Sequence, residues 1–68
     1  MKWINVKDRM PKLKKFGEQS ESKYVDIKLA DGTEDVAWYN TVSGWENMNA
    51  KFDNVTHWKN IPKEKQNP

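Results

Sequence analysis

The only histidine of the 68-residue chain, His57, stands directly before Trp58 in the stretch NVTHWKNIP, residues 54–62. Imidazole suits acid–base work near neutral pH and metal ligation. Either role needs company, and the chain has no cysteine and no second histidine, hence no HxH or HxxxH spacing. His57 therefore reads as a structural residue, hydrogen-bonded on a strand beside an indole. Carboxylates offer a second route to chemistry. Asp31, Glu34 and Asp35 surround a turn sequence, where acidic residues serve turn geometry and solubility. A glycosidase-like pair needs two carboxyls across a cleft, and a sheet this small is expected to offer none. Gly17, Gly32 and Gly44 are isolated, so no phosphate-cradling glycine loop is present. The expectation is a protein that is not an enzyme and carries no catalytic residue, metal or cofactor.

What remains is aromatic and charged surface. Eight aromatics (Trp3, Phe16, Tyr24, Trp38, Tyr39, Trp45, Phe52 and Trp58) are a rich supply for so short a chain. A domain of this size buries only about 60% of its unfolded surface, so large residues must carry its core. Net charge is +2, unevenly spread. Residues 1–15 hold six basic groups against Asp8, residues 16–50 hold seven acidic groups against Lys23 and Lys28, and residues 51–68 hold four lysines against Asp53 and Glu64. So small a net charge argues against strong nonspecific nucleic-acid binding, which scales with the phosphates neutralised. The absence of cysteine fits a reducing cytosol. No apolar run approaches the roughly 20 residues of a membrane span, and no signal-like segment follows the start, so a cytoplasmic location and no membrane partner are expected. The Asn54-Val55-Thr56 sequon then has no role.

These groups must be positioned by strands. Asp31-Gly32 between alternating segments predicts a two-residue type I′ hairpin turn. That register sets Leu29 against Glu34, Lys28 against Asp35, Ile27 against Val36, Val25 against Trp38 and Tyr24 against Tyr39. Val25, Ile27, Val36 and Trp38 then share the core face. Tyr24, Asp26, Lys28, Asp35, Ala37 and Tyr39 share the outer face. A three-residue loop ending in left-handed Gly44 predicts Trp38 opposite Met48 and Asn40 opposite Glu46, with Trp45 covering one end of the sheet. Residues 49–54 read as a loop and 55–59 as the last strand. Asn5 is placed to cap one helical turn through Asp8, which Pro11 ends. The charged stretch 12–22 reads as a mobile loop and 63–68 as a disordered tail. The expected fold is mainly β, with a small α+β fold as the alternative. It is a single domain over 1–62, a three- or four-stranded antiparallel meander with the N-terminal segment packed across it. Its expected core is Trp3, Val25, Ile27, Val36, Trp38, Trp45 and Trp58, with Trp3 and Trp58 bringing the two ends together.

Two end segments carry a family likeness. KWINVKDRMP (2–11) resembles the opening Trp-Ile-x-Val-x-x-Arg-x-Pro signature of the domain of unknown function 551 family, and VTHWKNIP (55–62) resembles its closing Val-Thr-His-Trp-x-x-x-Pro signature. VAWYN (36–40) and SGWEN (43–47) fit the aromatic pair and Gly-Trp found between them. The ending IPKEKQNP departs from the Leu-Pro-x-Pro-Pro step of many relatives. The resemblance implies a small protein of bacteriophages, prophages and their bacterial hosts, with no established enzymatic activity and no site residues to carry over.

The functional expectation is a non-enzymatic phage or prophage accessory protein that binds and modulates a bacterial host protein, such as a defence component. Its candidate interaction face is Tyr24, Asp26, Lys28, Asp35 and Tyr39, because tyrosine is favoured at interfaces. Its candidate basic contact loop is Lys7, Arg9, Lys12, Lys14 and Lys15. Exposed strand edges leave a homo-oligomer open. One alternative is an oligomeric sponge for a nucleotide signal, which needs pockets between protomers because one so small is expected to lack a 300 Å3-scale pocket. The other is a single-stranded nucleic-acid binder, in which Tyr24 and Tyr39 stack bases and affinity falls steeply with salt.

Overall fold

The computed structural model describes residues 2–62; the expected tail at 63–68 lies outside the described residues. Eight short strands form one antiparallel sheet: β1 (Ile4–Asn5), β2 (Lys14–Phe16), β3 (Gln19–Glu21), β4 (Val25–Leu29), β5 (Glu34–Asn40), β6 (Gly44–Glu46), β7 (Lys51–Phe52) and β8 (Val55–Lys59). The order runs β1-β8-β4-β5-β3-β2, with β6 on β5 and β7 on β6. This replaces the expected three- or four-stranded meander.

The long strand β5 organises the sheet. Its first half pairs β4 and its second half pairs β6, while Asn40 also meets Glu21 of β3. Ser22 bridges β3 and β4 along the same edge. It donates its backbone N–H to the Tyr39 carbonyl, while its hydroxyl accepts the Tyr39 N–H at 2.9 Å. A buried polar side chain thereby completes the ladder where strand geometry breaks. Both halves of the sheet face one core, made of Val25, Ile27, Ala37, Trp45 and Trp58. Tyr39 and Phe52 pack against it from one half, and Ile4, Met10 and Val55 from the other.

The central hairpin differs from expectation by one residue. Lys28 pairs Glu34, Ile27 pairs Asp35, Asp26 pairs Val36 and Val25 pairs Ala37. The cause lies in the turn. Gly32 alone takes positive φ, at 91°, and Asp31 does not. The Gly32 N–H bonds the Leu29 carbonyl, and the Leu29 N–H bonds the Thr33 carbonyl. This is a three-residue loop with glycine in the left-handed position, which stands in for the two-residue type I′ turn. Since side chains alternate, one residue of slip exchanges faces along β5. Ala37 becomes fully buried and Val36 is exposed.

The turn also holds the one clear pKa displacement among the described residues. Hydrogen bonds to the Thr33 side chain, then to its backbone N–H, hold the exposed Asp31 carboxyl below its ordinary 3.8. A depressed folded-state pKa stabilises the fold above the unfolded value, and that contribution is lost as pH falls through the folded pKa. Thermal melts between roughly pH 2 and 7 are therefore expected to show an acid-side loss below about pH 4 that is smaller in Asp31→Ala.

The second turn keeps the expected left-handed Gly44, with φ of 80°. Asn40 pairs Gly44, Tyr39 pairs Trp45 and Trp38 pairs Glu46, two positions tighter than expected. Asn40 sets the loop by accepting the N–H groups of Val42 and Ser43 on its side-chain oxygen. Phe52, expected in a loop, pairs Trp45 as part of β7, because half-burying its ring against the core draws the segment into the sheet.

Within the stretch 12–22, expected as a mobile loop, β2 and β3 form a hairpin, pairing across Gly17-Glu18. Gly17 has φ of 63° and Glu18 does not turn positive, the φ pattern of a type II′ turn. Near the N-terminus Asn5 does cap a turn, accepting the Lys7 N–H on its side chain at 2.8 Å. Its carbonyl accepts from Asp8 and Arg9, but the turn stops there and no helix forms among the described residues.

Candidate functional site

The one-residue slip reshapes the expected outer face. Asp26 and Lys28 of β4, and Tyr24 just before it, keep a common side, since they alternate with the buried Val25 and Ile27. Across from them stand Val36 and Glu34, the partners of Asp26 and Lys28. Tyr24 meets the half-buried Trp38 ring edge to face, with centroids 5.0 Å apart and planes at 87°. Tyr24 is 44% exposed and Val36 37%. Asp35 and Tyr39 belong to the opposite side. Asp35 pairs Ile27 at the exposed end of β5, and Tyr39 packs on Trp45 at 5.3 Å. Val36 and Trp38, expected in the core, are therefore face residues. Trp38 carries a second signature. Its Nε1 is buried and has no hydrogen-bond partner among the described residues, a condition buried indoles usually avoid.

Trp3 is half-buried and also lies outside the core. The Lys28 and Lys59 ammonium groups sit 4.7 and 4.6 Å from its ring, two cation–π contacts that fasten β1 across the sheet. The residue that pairs Trp58 at this end of the sheet is Ile4. Of the expected core, Val25, Ile27, Trp45 and Trp58 are buried, and Ala37 completes the cluster.

His57 resolves simply. Its Nδ1 is 2.8 Å from the Thr56 hydroxyl oxygen, and that hydroxyl donates to the Lys28 carbonyl. With the threonine proton so used, Nδ1 serves as donor. Among the described residues no three of His, Asp and Glu gather as metal ligands.

The basic residues divide. Arg9, Lys12 and Lys14 border a half-open groove of about 670 Å3, and Lys23, on the other wall, joins them. Met10, Leu13, Val25 and Trp58 give the groove an apolar floor, and the Trp58 indole N–H donates to the Arg9 carbonyl at 2.8 Å. A chain of this size thus does carry a pocket of its own, against expectation. Lys7 borders a separate, shallower groove of about 470 Å3 beside Asn5, Lys28 and His57. Lys15 lies on β2 opposite Ser20 and borders neither. Lys23 was missed because it stands alone in an acidic stretch. Only β4 docking beside β8 brings it to the N-terminal cations.

Among known proteins, no curated sequence and no solved structure matches the chain. A family profile described as a protein of unknown function, DUF551, matches residues 2–64, nearly the whole chain. The match takes in both tryptophan-bearing end segments, which this fold sets side by side as β1 and β8, and the chain belongs to the domain of unknown function 551 family.

Proposed function

We propose that this chain is a non-enzymatic binding module that docks a partner protein on the outer face of β4 and β5. The observation that carries the reading is the exposed Tyr24 ring standing edge-on to Trp38 beside the exposed Val36. Around this apolar centre lie Asp26, Lys28 and Glu34. An aromatic centre within a charged rim is the composition of an interface hot spot, where aromatics contribute most of the affinity and the rim sets register. Carboxylates on the same face disfavour a nucleic-acid track, because Asp26 and Glu34 would repel phosphate.

The partner class we propose is a bacterial host protein met in the cytoplasm, a defence component being the kind of target a phage accessory protein would modulate. Native mass spectrometry of protein purified gently from bacteria tests this. The wild type is expected to carry a stoichiometric protein partner at moderate salt, and the doubly substituted Tyr24→Ala, Val36→Lys chain to lose it by at least about tenfold, the scale of hot-spot residues. A partner retained by the double variant, or a wild type that stays bare in every host lysate tried, would sink the reading.

A further inference from the structure

We infer that the groove between the N-terminal segment and β8 binds a small molecule carrying phosphate on a flat apolar body, of the nucleotide class. Its volume of about 670 Å3 falls within the span of small-molecule sites, roughly 300–1,000 Å3. Its walls hold Arg9, Lys12, Lys14 and Lys23 against one carboxylate, that of Glu21. Lys14 faces Glu21 across the β2–β3 ladder, and Glu21 also accepts a hydrogen bond from Asn40. Among the described residues none of the four cations has a carboxylate at ion-pair distance. Four like charges around one opening repel one another, and a multiply charged anion relieves that repulsion where a single carboxylate would not. Arginine's planar fork matches phosphate oxygens, and lysines supply point charges beside it.

The floor selects the rest of the ligand. Leu13 is 40% exposed at the groove, and the half-buried Met10 and the buried Trp58 line it too. An apolar floor beneath a cationic rim is wasted on inorganic phosphate and suits a ring system that lies flat while its phosphates reach the rim. The groove also lies off the Tyr24–Val36 face, and none of its lining residues belongs to that face. The two sites therefore stand or fall separately.

The experiment is a 1H–15N NMR titration of the intact protein with ADP as probe, alongside adenosine, inorganic pyrophosphate and a hexaglutamate peptide. The Trp58 indole N–H, bonded to the Arg9 carbonyl, is a built-in reporter. Saturable shifts are expected at residues 9–14, at Lys23 and at the Trp58 indole, complete below about 1 mM ADP. Adenosine and pyrophosphate are each expected to bind at least about tenfold more weakly, because each reaches only half of the site. The doubly substituted Lys12→Glu, Lys23→Glu chain changes two exposed residues and is expected to fold. It should weaken ADP by at least about tenfold through lost charge-assisted contacts. Val36→Lys should leave ADP binding unchanged. The inference is overturned by the absence of saturable shifts, by shifts spread over all lysines, by pyrophosphate or adenosine matching ADP, or by hexaglutamate binding more tightly than ADP.

Discussion

Trp58→Ala is expected to leave the chain largely unfolded at room temperature, with no cooperative melt. Trp58 is 4% exposed and pairs Ile27 on one side and Ile4 on the other, so its indole joins the three strands β1, β8 and β4. Its Nε1 also holds the Arg9 carbonyl, tying the N-terminal turn to the sheet. Truncation removes the ring, leaves a cavity and strands that carbonyl, at a cost of about 3–5 kcal/mol. One core in a domain of this length supplies only about 3–5 kcal/mol of net stability, so the loss matches the whole reserve. Trp58→Phe keeps most of the ring and loses the hydrogen bond, and is expected to fold with a lowered melting temperature. His57→Gln is the neighbouring control. His57 is half-buried, its ring bonds only Thr56 among the described residues, and glutamine can donate there. It should melt close to wild type. Circular dichroism melts of the three variants decide the matter, and a Trp58→Ala chain that melts like wild type would show that the core closes elsewhere.

That core was partly legible in the sequence. Val25 and Ile27 alternate cleanly with polar residues, and β8 lies at 55–59 as its pattern implies. β5 was harder to read because apolar residues fall on both of its faces. Val36 and Trp38 compete with Ala37 and Tyr39 for the core, and period-two alternation cannot choose between the pairs. The turn could have chosen, yet Asp-Gly serves a two-residue loop and the second half of a three-residue loop equally well. The short strands β2 and β3 carry no apolar alternation at all. Their signal is Gly17, and their reason to form is the distant contact of Glu21 with Asn40. The groove was beyond reading for the same cause. Segments 9–14, 21–25 and 58–60 meet only through the β4–β8 pairing.

The register itself can be tested by two substitutions one residue apart. Ala37→Lys should unfold the protein, and Val36→Lys should not. Ala37 has no exposed surface, pairs Val25 and lies in one cluster with Ile27, Trp45 and Trp58. A lysine there must either bury an unpaired ammonium or push the strands apart. Overpacking alone costs about 1–3 kcal/mol, and an unpaired buried charge adds several more, beyond the stability of so small a domain. Val36 is 37% exposed and opposes Asp26, so a lysine there reaches water and gains an opposite charge across the strands, worth about 0.2–1 kcal/mol. Its melt should fall within a few degrees of wild type, while partner binding through the outer face is lost. A two-residue Asp31-Gly32 turn would invert both results, because it puts Val36 inside and Ala37 outside. Since one slip turns over every side chain of β5, an inverted outcome would also move Trp38 into the core and return Tyr39 to the surface. The docking face would then have to be redrawn around the two tyrosines.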